Sequence, residues 1–224
     1  MLAKSIGLSI LVGTVAVSLV FDKSAEAAVI SGQLFNTGVD ATGAVLPFSG
    51  ASDPHYTVVE NDNQQAVTYF NGAYLPNNSG SAWIWQTGTG QPGGVTRTFR
   101  TMFNLSGYDH TSAAVSGLWG ADNIGVDILI NGVGTSNFIP SGFGAFSQLT
   151  AFNITSGFVA GQNVLSFVVQ DLGGPGAFRV DNIQLTADLA ADSTAIPTPA
   201  LLPSLIGMGA ATLRKRRQEA EVEA

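Results

Sequence analysis

The residues of this chain that could carry out chemistry are two histidines and a scattered set of carboxylates. His55 lies in SDPHY and His110 in GYDHT, both among turn-forming residues and outside any G-x-S-x-G or H-E-x-x-H motif. The chain has no cysteine, which excludes thiol nucleophiles and thiolate metal sites. Two carboxylates would suffice for glycoside hydrolysis, but one sequence does not give their separation across strands. We therefore predict no catalytic residues and keep a hydrolase as the last alternative.

Aromatic side chains suggest a binding function instead. Sugar rings have apolar C–H faces that pack on aromatic rings, while their hydroxyls need hydrogen-bond partners. Trp83 and Trp85 are two residues apart in AWIW, so in an extended segment they would lie on one face. Trp85 is predicted either as a solvent-facing sugar platform or as a core residue, and Trp83 more as core. Tyr69 and Tyr74 are alternative platforms.

A carboxylate and an amide follow the third tryptophan. In GLWGADN, Asp122 and Asn123 come directly after the segment of Trp119, which we expect in the core. Both side chains can hydrogen-bond sugar hydroxyls, and both are also common turn formers. They are therefore candidates for carbohydrate binding, with a structural turn as the alternative.

One acidic loop is a candidate calcium site. The stretch ENDN places Glu60 and Asp62 close together, and carboxylate oxygens are the ligands that Ca²⁺ prefers. The EF-hand spacing is absent, so a solvated acidic loop is the alternative. No other cofactor is predicted.

The elements that must position these residues are β-strands. The chain has 27 glycines, 45% hydrophobic residues and only 11% charged residues, a composition that favours strands and tight turns over a helical bundle. Asn131-Gly132 is typical of a type I′ hairpin turn. The clearest strand patterns are TRTFRTMFNL from Thr96, IGVDILING from Ile124, NVLSFVVQD from Asn163 and AFRVDNIQLTA from Ala177.

Alternation within these segments predicts which residues face the core. Val126, Ile128 and Ile130 share one face of their segment, and Phe99 and Phe103 share one face of theirs. Eight to ten such strands in one chain predict a two-sheet β-sandwich of jelly-roll type.

The charge of the mature region excludes one class of partner. Between residues 28 and 196 there are eleven acidic residues and only three basic ones, for a formal charge of 3 − 11 = −8. Nucleic-acid affinity depends on neutralising phosphates with lysine and arginine. We therefore predict no nucleic-acid binding, whereas neutral sugars and cations remain candidate binding partners. The basic residues are Arg97, Arg100 and Arg179.

The first 27 residues have the layout of a secretory signal. Lys4 precedes an apolar run from Ile6 to Phe21, and Ala25-Glu26-Ala27 resembles a cleavage site. We expect export with cleavage after Ala27. The alternative is an anchoring helix that the mature protein retains, although the run is shorter than the ~20 residues of a typical span.

The C-terminal residues 191–224 read as a linker followed by a marginal membrane segment. The apolar run from Ala200 to Leu213 is interrupted by a proline and two glycines, which makes it poor as a permanent span. A basic block of Arg214, Lys215, Arg216 and Arg217 follows and favours the cytoplasmic side. These residues indicate membrane topology rather than nucleic-acid binding.

The order of parts in this tail resembles the bacterial PEP-CTERM class of sorting signals. The motif reads Pro197, Thr198, Pro199, Ala200, with threonine in place of the name-giving glutamate, as in a variant form of the signal. The resemblance implies an exosortase-type membrane protease as partner, cleavage near the motif, a transient membrane anchor, and release or transfer to the cell surface.

Residues 28–190 form the predicted domain, and three of its stretches carry a second resemblance. SAWIWQTGTGQPGGVTRTFRTMFNLSGYD, SGLWGADNIGVDILING and GFVAGQNVLSFVVQDLGGPGAFRVDNI resemble, in this order, the galactose-binding-like sandwich modules of PEP-CTERM proteins. The resemblance implies an all-β galactose-binding-like jelly-roll with carbohydrate binding as its expected activity.

These observations predict an exported, surface-sorted, non-enzymatic β-sandwich protein. We expect it to bind an extracellular polysaccharide or to form part of an extracellular matrix. The alternatives are a structural surface or interaction protein without a sugar site and, last, a hydrolase.

Overall fold

The structure is a computed structural model that describes residues 27–191. Nearly all of the predicted signal segment, and the whole predicted sorting signal from Pro197 to Arg217, lie outside the described residues, so those assignments stay predictions. No helix among residues 27–191 is long and apolar enough to cross a membrane.

Antiparallel strands make up nearly all the regular structure of this region, which confirms the all-β prediction. The only helix among the described residues, α1 (Gly144–Ser147), has four residues. The strands are β1 (Ala28–Val29), β2 (Ser52–Val58), β3 (Gln64–Thr68), β4 (Ile84–Trp85), β5 (Thr96–Asn104), β6 (Ala114–Asp122), β7 (Ile124–Ile130), β8 (Val133–Gly134), β9 (Thr150–Ile154), β10 (Gln162–Gln170) and β11 (Ala177–Ala187).

The strands pair into one sheet that folds over on itself. Their order is β8-β7-β10-β5-β2-β3-β4-β11-β6-β9, and β1 pairs with β11. The ring centroid of Phe167 in β10 lies 5.7 Å from that of Phe152 in β9 and 5.8 Å from that of Trp119 in β6. Because β10 and β9 stand near opposite ends of the order, these contacts exist only if the two halves of the sheet face each other. The result is a sandwich with the main core between its halves.

The long strands predicted from the sequence all form, but one residue predicted to face the core, Val126, faces solvent instead. Phe99 and Phe103 of β5 are buried as predicted, and so are Ile128 and Ile130 of β7. Val126 is 43% exposed, because the pairing of β10 with β7 shifts register between Val168 and Val169. Such a bulge adds one residue, Val126, to β7, and the side chain of this residue no longer follows the in–out alternation of the strand.

The turn after β7 has the predicted conformation. Ile130 pairs with Val133, which leaves Asn131 and Gly132 as a two-residue connection. Their φ angles are 52° and 83°. Two positive φ values are what a type I′ turn requires, and asparagine followed by glycine tolerates both.

A second, smaller apolar cluster lies on the outer face of the sheet. It contains Tyr74, Trp83 and Ala177. Trp119 and Ala121 of β6 belong to the main core, so Gly120 between them points outward, and a Cβ on Gly120 would lie 2.8 Å from the ring of Trp83. Trp83 therefore covers the sheet from outside.

The fold predicts the cost of removing a core tryptophan. Trp85 is fully buried and its ring centroid lies 5.6 Å from that of Phe99. Trp85→Ala should lower the free energy of unfolding by about 3–5 kcal/mol, measured by urea denaturation, since it removes a large buried ring. The control is Met102→Ala, at a side chain 55% exposed, for which we expect a change within about 0.5 kcal/mol. A similar small loss for Trp85→Ala would contradict the core assignment.

Candidate functional site

The two predicted aromatic platforms are core residues. Trp83 and Trp85 are both fully buried, and they belong to different clusters, so they do not share a face. The indole nitrogen of Trp83 donates to the carbonyl of Leu75 at 2.8 Å. The prediction of Trp83 and Trp85 as carbohydrate-binding residues is wrong, because neither ring face is accessible to a ligand. The alternative Tyr74 is buried too, at 4% exposure.

Asp122 and Asn123 hold strand ends together rather than facing solvent. The backbone N–H of Asn123 donates to the carbonyl of Gln170 at 3.0 Å, and its side-chain oxygen accepts from the N–H of Leu172 at 2.7 Å. Its Nδ2 donates to Asp122 Oδ1 at 2.6 Å. Asn123 therefore clamps the end of β10 to the turn between β6 and β7.

The other oxygen of Asp122 is engaged as well. The Tyr74 hydroxyl donates between two acceptors. Its Oη lies 3.0 Å from Asp122 Oδ2 and 2.9 Å from the carbonyl oxygen of Pro175. Asp122 is 7% exposed. The prediction that Asp122 and Asn123 bind sugar is therefore not supported, and the turn-forming alternative describes them better.

Asp171 completes what we call the apical cluster, consisting of Tyr74, Asp122, Asn123 and Asp171. It is 1% exposed, and its Oδ2 accepts from the N–H of Gly94 at 2.5 Å. Its Oδ1 has no hydrogen-bond partner among the described residues. A Cβ on Gly93 would lie 1.8 Å from the carbonyl oxygen of Gly174, so the glycine permits this close packing of loops.

Burial controls the ionisation of the apical cluster. Desolvation raises the pKa of Asp122 to about 6; the hydrogen bond from Tyr74 opposes this shift and the nearby charge of Asp171 adds to it. Desolvation and the charge of Asp122 also raise the pKa of the Tyr74 phenol. The negative charge of Asp171 thus adds to desolvation in disfavouring the ionised form of Asp122.

The predicted calcium site at Glu60 and Asp62 is not assembled. Glu60 turns towards β5, where its two carboxylate oxygens accept from the backbone N–H and the hydroxyl of Thr98, both at 2.7 Å. Residues 27–191 hold no group of three or more histidine, aspartate or glutamate side chains that could coordinate a metal. The loop fits the solvated acidic alternative.

A surface cleft lies beside the β7–β8 hairpin and the end of β9. We call it the edge cleft; its volume is about 290 Å³. Ile130, Val133 and Ile154 are its aliphatic lining residues; Val133 is exposed, whereas Ile130 and Ile154 are buried beneath the cleft. None of its lining residues carries a charge. Its polar side chains are Thr135, Ser136, Asn137, Asn153, Thr155 and Ser156.

Hydrogen bonds fix the loop that forms one wall of the edge cleft. Asp127 Oδ1 accepts from the backbone N–H of Asn137 at 3.1 Å, and Thr135 Oγ1 donates to the carbonyl of Ile128 at 2.7 Å. Asn137 Nδ2 donates to Thr135 Oγ1 at 2.9 Å. Between them Ser136 adopts a φ of 62°, a conformation that non-glycine residues rarely adopt. The wall is thus held in place before any ligand binds.

Sequence reasoning missed the edge cleft because its two walls, residues 130–137 and 153–157, are separated by 15 residues of chain. The runs GTSN and NITS have no binding motif and look like ordinary polar turns. Only the pairing of β6 with β9 and of β7 with β8 sets the position of each wall.

Comparison with known proteins identifies no relative in sequence. No protein-family model matches the chain, and no curated protein does. Among solved structures, a CBM35 from Paenibacillus barcinonensis is similar, at 16% identity over 64% of this chain and 100% of that chain, with a TM-score of 0.36. A cyclase from Fischerella sp. TAU matches at 12% identity over 64% of this chain and 89% of that one, with a TM-score of 0.40. An apo form cyclase from Fischerella sp. matches at 11% identity over 77% and 92%, with a TM-score of 0.33. These scores are too low to carry an argument about function.

The apical cluster predicts a pH dependence of stability. The folded pKa of Asp122 is raised to about 6, above an unfolded value of about 3.9, so its stabilising contribution is complete below the unfolded value and is lost as pH rises through about 6. Asp122→Asn cannot ionise and should lack this loss. Urea denaturation between pH 4 and 7.5 should show the variant gaining on the order of 1–3 kcal/mol relative to the wild type as pH rises.

The matched control is Asp62→Asn, at an exposed aspartate in the β2–β3 loop. Its stability difference from the wild type should stay nearly constant over the same range. Parallel pH profiles for the wild type and Asp122→Asn would refute the raised pKa.

Proposed function

We propose that this protein is an exported, surface-sorted, non-enzymatic glycan-binding β-sandwich with a galactose-binding-like jelly-roll topology. The edge cleft is the observation that carries the proposal. It combines hydroxyl and amide groups with the exposed aliphatic side chain of Val133 and has no charged lining residue. Neutral sugars need this combination, because each sugar has hydroxyls to satisfy and C–H faces to cover.

The free polar groups of the cleft distinguish it from the apical cluster. Asn153 is exposed in β9, and its side chain makes no hydrogen bond to another described residue. Thr155 and Ser156 follow it at the surface. These groups can exchange water for sugar hydroxyls without breaking internal hydrogen bonds, whereas the polar groups at Asn123 would have to give up theirs.

The charge of the domain and the volume of the edge cleft limit which ligands can bind. The region from residue 28 to residue 196 has a formal charge of 3 − 11 = −8, which opposes the binding of polyanions. A volume of about 290 Å³ lies just below the range of ordinary ligand sites, which is about 300–1,000 Å³. We infer a neutral polysaccharide, of which one or two sugar units enter the cleft.

The two ends of the chain supply the rest of the proposal. The N-terminal layout supports export, and the tail from Pro197 to Arg217 supports recognition by an exosortase-type membrane protease. The protein would pass through a membrane-anchored stage before it reaches the cell surface or the extracellular matrix. Bound calcium is not part of the proposal, since both oxygens of Glu60 are engaged by Thr98.

Glycan binding is tested at the residues with free polar groups. The full-length protein is screened on an array of neutral polysaccharides and oligosaccharides, and the best ligand is titrated by calorimetry. The double variant Asn153→Ala, Thr155→Ala should weaken binding by tenfold or more, because each lost hydrogen bond to a sugar contributes about 0.5–1.5 kcal/mol. Its melting temperature should stay close to that of the wild type, since both side chains are exposed.

The matched control is Gln64→Ala, at an exposed side chain in β3, a strand separated from β9 by three others in the sheet. Affinity should not change in this variant. If no neutral glycan binds the wild type, or if both variants bind equally well, the structural surface protein without a sugar site is the better description.

The sorting function of the basic block has its own test. Replacing Arg214, Lys215, Arg216 and Arg217 with glutamine removes the charges that favour the cytoplasmic side, so unprocessed chain should accumulate or be misplaced. Cell fractionation with a blot that separates processed from unprocessed chain measures this. Processing and delivery equal to those of the wild type would rule out the sorting role of the block.

A further inference from the structure

The chain contains one Asp–Pro peptide bond, between Asp53 and Pro54 at the start of β2. Such bonds are chemically special because the aspartate carboxyl group can attack its own main-chain carbonyl carbon. The proline nitrogen, as part of a tertiary amide, accepts a proton and departs more readily than an ordinary peptide nitrogen. The reaction needs a carboxyl group that is protonated and held close to the bond.

The carboxyl group of Asp53 is folded back along the chain. Its Oδ1 accepts from the backbone N–H of His55 at 2.8 Å, and its Oδ2 accepts from the N–H of Gly38 at 2.7 Å. The bond to a residue two positions ahead closes a local turn around the Asp53–Pro54 peptide. This arrangement restricts the carboxyl group to the neighbourhood of the bond it would attack.

Two other aspartates make the same local turn and provide a comparison within the molecule. Asp40 accepts from the N–H of Thr42 at 2.8 Å, and Asp109 accepts from that of Thr111 at 2.9 Å. Both lie nearer the surface, and neither precedes a proline. Asp53 alone among the three combines the turn, full burial and a following proline.

The surroundings of Asp53 favour its protonated form. Burial raises the pKa of Asp53 to about 6, although the N–H donors of Gly38, His55 and Tyr56 and the charge of His55 oppose the shift. On the facing segment Asp40 presents its main-chain carbonyl, which lies 3.0 Å from His55 Nε2. Hydrogen bonds donated by Thr42 and Thr111 instead lower the pKa of Asp40 and of Asp109, respectively.

We propose that the folded chain cleaves itself at the Asp53–Pro54 bond in mildly acidic solution. Asp53 Oδ attacks the main-chain carbonyl carbon of the same residue and forms a five-membered cyclic anhydride. The carbon–nitrogen bond to Pro54 breaks, and the carboxyl proton moves to the proline nitrogen, which leaves as a secondary amine. Water then opens the anhydride and restores Asp53 with both carboxyl groups free. Overall, one peptide bond and one water give one carboxylic acid and one amine.

Cleavage would nick the domain rather than divide it. The segment before Asp53 is hydrogen-bonded to residues that follow the cut. The N–H of Thr37 donates to the carbonyl of Val180 at 3.1 Å, and Thr37 Oγ1 donates to the carbonyl of Ala82 at 2.7 Å. The product would therefore run as one species in native conditions and as two chains after denaturation. Its second chain would begin at Pro54.

The experiment follows the full-length protein at pH 5 and pH 8 with protease inhibitors present. Denaturing gels give the cleaved fraction over days, and mass spectrometry identifies the new termini at Asp53 and Pro54. The rate at pH 5 should exceed the rate at pH 8 by about a hundredfold, which is the change in protonated fraction for an acid with a pKa of about 6. In urea at pH 5 the rate should fall about tenfold, because an unfolded aspartate has a pKa near 3.9.

Variants separate the chemistry from accidental proteolysis. Asp53→Asn and Pro54→Ala should not cleave, and Pro54→Ala keeps the carboxyl group if Asp53→Asn fails to fold. The matched control Ala41→Pro creates an Asp–Pro bond at Asp40, in the same local turn but nearer the surface, and this bond should stay intact at pH 5. The absence of a Pro54 terminus at pH 5, undiminished cleavage in urea, or equal cleavage after Asp40 would each overturn the proposal.

Discussion

The packing of Phe167 against Phe178 is the contact on which the rest of the structure depends. Their ring centroids lie 4.9 Å apart, and Phe99 packs on Phe178 at 4.7 Å. Phe167 belongs to β10 and Phe178 to β11, strands that are separated by four others in the sheet order. Burying these rings against each other is what folds the sheet into two facing halves. Once β10 and β11 face each other, the connection between them must cross one end of the sandwich. That crossing brings Asp171 beside the turn at Asn123, so the apical cluster is a consequence of the aromatic core.

The fold has few basic side chains with which its buried carboxyl groups could pair. The described residues include three basic side chains, and one of them, Arg179, lies 3.5 Å from Asp181 in a buried ion pair. Asp53 and Asp122 are buried without such a partner and rely on N–H and O–H donors instead. Neutral donors offset only part of the desolvation cost, so burial raises the pKa of both carboxyl groups to about 6. Both groups gain a proton at a much higher pH than an exposed aspartate would. A protonation change near pH 6 at these two carboxyl groups therefore follows from composition together with burial.

Much of the fold was predictable because its signals are local. The strands near Thr96 and Ala177 were found from β-branched and aromatic residues, and the turn at Asn131-Gly132 from its dipeptide. Val126 was assigned to the core because alternation assumes an unbroken ladder, and the bulge that exposes it depends on the partner strand. The role of Trp85 was ambiguous for the same reason. A tryptophan in a two-residue strand becomes core or surface according to what lies above it, and here the ring is so closely covered that a Cβ on Gly176 would lie 2.3 Å from it.

The candidate site was less predictable than the fold because residue type does not reveal whether a polar group is already satisfied. Three asparagines illustrate the difference. Asn163 is fully buried and its side chain bonds to Val159, while Asn123 clamps the end of β10. Asn153 is exposed in the edge cleft, with no side-chain hydrogen bond to another described residue. All three lie near strand ends and have similar polar neighbours in sequence, so the sequence does not indicate which of them could bind a ligand. A ligand, however, gains from a polar group only if that group is not already bonded within the protein, because otherwise one hydrogen bond merely replaces another. The search for a sugar site in such a sandwich should therefore begin from unsatisfied amides and hydroxyls beside aliphatic surface, and only then consider aromatic residues, which this core has buried.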